Sequence, residues 1–129
     1  MTYVLDTHAL YWHLFEPAKL SPGARQSIAQ GEAGEAGLIV LALVLAELYY
    51  LLVKFQVDDL FPDVLASIQS NPNYRIESIV LEDVRNLAGY PEVPEMHDRL
   101  IVIASNRLRA TLITKDQKIQ ASPGLTWLW

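Results

Sequence analysis

The sequence predicts an α/β fold with a central, mainly parallel sheet, and three observations carry that expectation. Short β-branched and apolar runs alternate with helical segments along the chain. Two carboxylates, Asp6 and Asp116, stand just past the carboxyl end of a predicted strand, the edge where such sheets bind ligands. At 129 residues and 51% hydrophobic, the chain is sized for one domain, residues 1–129, with a core of its own.

The elements follow in order. Thr2–Leu5 is a short β-branched and apolar strand ended by Asp6. Thr7 can cap a helix from His8 to about Phe15, which Pro17 stops. Ser21-Pro22 pairs a cap with proline at the first helical position and opens a helix to about Glu32. The glycines of Gly31 to Gly37 mark a turn. Leu38–Leu41 reads as a buried strand running into a helix that carries Glu47 and ends near Phe55. Asp58 or Asp59 can cap a further helix, closed by Asn71-Pro72. Tyr74–Val80 alternates as a third strand, Leu81–Leu87 forms a short helix, and a proline-rich loop follows. His97–Leu108 has a broad apolar helical face. Ala110–Thr114 is a strand, Lys115–Ile119 a helical turn, and Leu125–Trp129 the last strand.

Four acidic residues stand out against this pattern: Asp6, Glu47, Asp98 and Asp116. Apolar runs around each pull its backbone toward the core. Carboxylates beside buried apolar surface cost free energy unless compensated, and no matching basic set lies in the same segments. A divalent cation is the simplest compensation, because hard Mg²⁺ or Mn²⁺ prefers oxygen ligands. Each residue also has a plainer reading: Asp6 or Asp98 as a helix cap, Glu47 as half of an ion pair, Asp116 as a turn residue. The three histidines read as structural or substrate-facing rather than as ligands, since His8 and His13 are five apart and do not share a helix face.

Composition narrows the function. With no cysteine, the chain has no disulfide framework, thiol nucleophile or thiolate zinc site, which suits a cytoplasmic protein. The N-terminus carries no basic, apolar leader pattern, so no signal peptide is expected. Leu38–Val53 is apolar over 16 residues, short of the roughly 20 of a spanning helix, and Glu47 lies inside it. No membrane segment is expected. The net charge of −5 argues at face value against nucleic acid. Setting the four carboxylates aside leaves 11 acidic against 10 basic residues, so the overall sign is a weak test. Neither phosphate-loop glycines nor a nucleophile elbow occurs.

The order of four pieces resembles a known family. LDTHAL near the start, a helix with an internal Glu, HDRLIVIAS, and LITKD near the end are similar to the PIN domain, above all to toxin ribonucleases of VapBC-type toxin–antitoxin pairs. The likeness runs from Tyr3 to Trp129. It implies a three-layer PIN-like fold, a metal-dependent endoribonuclease, Mg²⁺ or Mn²⁺ as cofactor, RNA as substrate, a cognate antitoxin and a homodimer. It assigns metal binding and catalysis to Asp6, Glu47, Asp98 and Asp116. Thr114 matches a hydroxyl residue, Thr7 the small polar residue after the first Asp, and Arg99 the basic member of an Asp-Arg pair. Glu95 stands where many members carry an extra Asp. One departure is Leu41, where the family often has Ser. A housekeeping nuclease without an antitoxin, or a binding module that kept the fold without turnover, stays open as an alternative.

Overall fold

The computed structural model describes residues 1–129. Its centre is a five-stranded sheet: β1 (Thr2–Leu5), β2 (Gly37–Leu41), β3 (Tyr74–Glu77), β4 (Thr111–Ile113) and β5 (Trp127–Leu128). The spatial order is β3-β2-β1-β4-β5, and every adjacent pair is parallel. Seven helices flank it: α1 (Thr7–Phe15), α2 (Pro22–Glu32), α3 (Ala42–Lys54), α4 (Phe61–Ser70), α5 (Leu81–Arg85), α6 (Met96–Arg107) and α7 (Gln117–Gln120). This is the expected α/β architecture, with the sheet wholly rather than mainly parallel.

The strands read as continuous apolar runs because both faces are covered. Val4, Leu5, Leu38 to Leu41, Leu112 and Ile113 are buried, and helix residues such as Ala24, Ile28, Leu48, Leu52 and Ile101 close over them. The apolar stretch from Leu38 to Val53 is divided, as expected, between β2 and α3, and no helix is long and apolar enough to cross a membrane.

Several boundaries differ from the sequence expectation for local reasons. Asp6, not Thr7, caps α1: its carboxylate accepts from the N–H of Ala9 at 2.8 Å, so the helix starts one residue earlier. The end of α2 at Glu32 agrees with expectation, and Gly31 inside it lets helix and strand approach closely, since a Cβ there would meet Cβ of Leu38 at 2.9 Å. Asp58 and Asp59 form a 3-10 turn, and α4 starts behind it at Phe61. β3 ends at Glu77, since Val80 already caps α5. β5 is cut to Trp127–Leu128.

The topology locates a crevice. From β1 the chain builds outward to β2 and β3, then returns to the other side of β1 for β4 and β5. Order reverses between β1 and β4, and the crevice beyond the carboxyl ends at such a point is where open parallel sheets bind ligands.

Candidate active site

Asp6 follows β1 directly, and Asp116 lies three residues past β4, so the switch point brings them together although 110 positions separate them. α3 leaves the end of β2 and carries Glu47 alongside. Its residues 47, 50, 51 and 54 share one face at helical spacing, and all four line the same cleft. α6 enters from Glu95, whose carboxylate caps it by accepting from the N–H of Asp98 at 2.8 Å. Asp98 therefore does not cap the helix; it stands in the first turn and faces the cleft.

The result is a cleft of about 990 Å³ lined by all four predicted carboxylates, together with Thr7, His8, Trp12, Tyr50, Lys54, Glu95, His97 and Lys115. Asp6 caps α1, the plainer reading offered for it, and Asp116, read plainly as a turn residue, caps α7; both still line the cleft. Glu47 is half-buried, and one of its oxygens accepts from the Thr7 hydroxyl at 2.8 Å. Lys115 and Lys54 are the only lysines in the lining, which holds no arginine, and Lys115 sits 5.6 Å above the Trp12 ring.

The electrostatics show how poorly these charges are compensated. Burial pushes the Asp6 carboxyl up to about 6, with Asp116 adding to the rise; hydrogen bonding to Thr114 and Ala9 and the charge of His8 offset part of it. Asp98 is pushed up to about 7 by burial first, then by the nearby charges of Glu95, Asp116, Glu47 and Asp6. Burial also acts upward on Glu95, but the N–H groups of His97 and Asp98 and the charge of His97 outweigh it, leaving Glu95 below its ordinary value. Like charges crowd one another here, and proton uptake is the response available without a cation.

The supporting residues divide. Thr7 and Glu95 line the cleft. Thr114 is fully buried behind it, its hydroxyl accepting from the N–H of Asp116 at 3.1 Å. Arg99 lies outside: Nε donates to the carbonyl of Val93 at 2.8 Å and Nη1 to that of Leu87 at 3.1 Å, pinning the proline-rich loop to α6. Leu41 is fully buried at the start of α3, which has no side-chain cap. Trp12 and Tyr50 are also cleft residues, Tyr50 with 71% of its surface exposed. His97, expected to be structural or substrate-facing, lines the cleft, and its Nδ1 lies within 3.6 Å of both Glu47 and Glu95.

No curated protein matches the sequence. Solved structures do match the fold. A chain of VapBC2 from Rickettsia felis, bound to a DNA fragment from their promoter, superimposes with a TM-score of 0.78 at 19% identity, covering 100% of this chain and 99% of that one. A chain of FitAcB from Neisseria gonorrhoeae gives 0.69 at 15% identity over 99% and 97%. A toxin–antitoxin complex from Klebsiella pneumoniae gives 0.64 at 18% identity over 97% and 96%. The PIN domain family model matches residues 3–124, which takes in β1 from Tyr3 onward, the switch-point cleft and all four carboxylates. The chain belongs to the PIN-domain family.

Proposed function

We propose that this protein is a Mg²⁺- or Mn²⁺-dependent endoribonuclease that hydrolyses RNA phosphodiester bonds, and that it serves in the cytoplasm as the toxin of a toxin–antitoxin pair. One observation carries the reading: Asp6, Glu47, Asp98 and Asp116 line a single cleft at the sheet's switch point with too few positive side chains to answer them. That donor set fits a hard cation, which takes carboxylate oxygens and retains water. Bound there, the cation would lower the pKa of a water molecule and neutralise charge on the phosphoryl group.

The chain's own residues do the rest. Asp6 is held rigid by its cap on α1, and Thr7 fixes Glu47 across to α3, so both carboxylates are set before substrate arrives. Lys54 and Lys115 are placed to meet the phosphate backbone, and the exposed Tyr50 ring offers a face for an unpaired base. No serine or cysteine nucleophile is required.

The partner assignment draws support from neighbours that are toxin–antitoxin complexes. A homodimer draws support from exposed apolar side chains on and after α3 that lie outside the cleft: Val53, Phe55 and Leu60. The decisive experiment is cleavage of single-stranded RNA by metal-free protein with Mg²⁺ or Mn²⁺ added back. Cleavage that appears only with metal supports the proposal. Cleavage that survives EDTA overturns it, and metal binding without cleavage points to a binding module. Sedimentation as a monomer at high micromolar concentration would overturn the dimer.

A further inference from the structure

Two aromatic rings reach the cleft beside the carboxylates, and each is braced from outside it. Trp12 of α1 meets the Trp129 ring edge-on, with centroids 5.6 Å apart, and Tyr50 of α3 meets Tyr49 edge-on at 5.4 Å. Tyr49 rests in turn on Phe61 at 5.3 Å. Each ring is also matched with a lysine. The Lys115 ammonium sits 5.6 Å over Trp12, and Lys54 follows Tyr50 by one turn on the same face of α3. The sheet order sets the two pairs apart. α3 leaves β2 and Lys115 follows β4, while Asp6 follows β1, the strand between them. One pair of ring and lysine therefore stands on either side of Asp6.

Charge alone makes this cleft a poor groove for nucleic acid. Its lining has five carboxylates, Asp6, Glu47, Glu95, Asp98 and Asp116, against two lysines. With the histidines neutral, even one divalent cation leaves it net negative, and a phosphate backbone is repelled everywhere except at the cation and the lysines. Apolar surface is what the cleft offers instead. Leu51, Ile101 and Ile119 join the two rings in the lining, and Tyr50 is mostly exposed. Phosphates gain nothing from that surface, whereas unstacked bases do, because every base has a face that an aromatic ring can cover.

We propose that the cleft binds two consecutive unpaired nucleotides, one base on Tyr50 and the next on Trp12, with the phosphodiester that links them over Asp6 and the flanking phosphates at Lys54 and Lys115. The inference rests on the reading of the protein as an endoribonuclease and adds the source of its selectivity. Stacking, not backbone charge, supplies most of the affinity, and bases held in a double helix are refused. Lys115 covers Trp12 in the free protein and moves to a phosphate as the base takes its place.

The test is fluorescence anisotropy of a labelled RNA single strand of about ten nucleotides, and of the same sequence closed in a hairpin stem, with Ca²⁺ as the hard cation and cleavage in Mg²⁺ followed in parallel. Tyr50→Leu and Trp12→Leu should each weaken binding of the single strand at least about fivefold, while Tyr50→Phe and Trp12→Phe, which keep a ring, stay within about twofold of wild type. The stem should bind at least about tenfold more weakly, because its bases must first unpair. Two lysine contacts predict a slope of log affinity against log salt no steeper than about −1.5. Tyr50 is so exposed that Tyr50→Leu tests stacking even where Trp12→Leu fails to fold. Wild-type affinity in Tyr50→Leu, or a steep salt slope, would overturn this placement of the bases, and metal-dependent cleavage would then leave the endoribonuclease standing. Wild type that neither binds nor cuts the single strand would overturn both.

Discussion

Asp83 and Asp6 both lose nearly all contact with solvent, at 0% and 5% exposure. At Asp83, between α5 and α6, Arg107 closes on the carboxylate with two hydrogen bonds, Nε to Oδ1 at 2.8 Å and Nη2 to Oδ2 at 3.0 Å. The Val80 N–H adds a third at 3.0 Å. The guanidinium responds in turn: hydrogen bonding to Asp83 holds Arg107 above its ordinary value, against the pull of burial. At Asp6 no arginine arrives. The cleft instead gathers further carboxylates, and the Asp6 carboxyl climbs to about 6. One fold thus buries an aspartate in two ways. The first is finished by the chain itself and holds structure; the second has no basic partner from the chain, which is where the proposed cation would bind.

Four predictions test that contrast. The largest effect belongs to the closed pair. Arg107→Leu should cost about 3–5 kcal/mol, because it strands a buried charge, while Asp83→Leu combined with Arg107→Leu should recover much of the loss. Chemical denaturation of both variants measures this, and a mild Arg107→Leu would show that Asp83 is not dependent on its partner.

At the open site the corresponding change removes function. Asn at position 6 can still accept from the Ala9 N–H, so α1 keeps its cap. Asp6→Asn should nonetheless lower RNA cleavage by at least about a hundredfold, since a neutral amide is a poor ligand for a hard cation. Full activity in this variant would mean that Asp6 is a cap and nothing more.

The third prediction concerns pH in metal-free protein. Asp6 and Asp98 have folded values near 6 and 7 against 3.8 for the ordinary group. Between those limits the folded state binds more protons than the unfolded one, so stability must fall as pH rises from about 4 to 8. Asp6 contributes about 1–3 kcal/mol to this loss, and the half-buried Asp98 less, because solvent screens it. Melting in EDTA should therefore show a lower Tm at pH 8 than at pH 5, with Asp6→Asn raising the value mainly at the higher pH. A melt that does not depend on pH across this range would show that neither burial nor neighbouring charge raises these carboxyls.

The smallest effect is expected at a partly exposed carboxylate, Glu32, which joins three elements through Nε2 of His13 at 3.1 Å and the Tyr74 hydroxyl at 3.0 Å. Burial first, and then Glu32, hold the Tyr74 phenol well above its ordinary value. Tyr74→Phe removes one neutral donor near solvent and should cost no more than about 1 kcal/mol by denaturation. A larger loss would place this cross-link in the same class as Asp83–Arg107.

Much of this was readable from residue order. The strand–helix alternation, the Ser21 cap with Pro22 behind it, the strand-to-helix passage from Leu38 to Val53 and the position of Asp6 after β1 are local facts, set by side-chain shape and polarity over a few residues. The errors were local too. Asp6 and Glu95 are both caps and cleft residues, and a sequence offers each residue type without saying how many roles its oxygens will share. Arg99 follows Asp98 in the chain yet donates to Val93 and Leu87, because neighbours in a helix point about 100° apart.

By itself, the sequence determined that an α/β core would form and that four carboxylates would be drawn against it, since periodicity and burial act along the chain. Tertiary structure alone decided which charges would meet. Returning β4 to the far side of β1 placed Asp116 beside Asp6, and packing α3 and α6 around that crevice added Glu47, Asp98 and His97. Arg107 was carried to Asp83, 24 residues away, and not to the cleft. Electrostatic energy depends on distances in space, which residue order does not contain until the sheet is assembled.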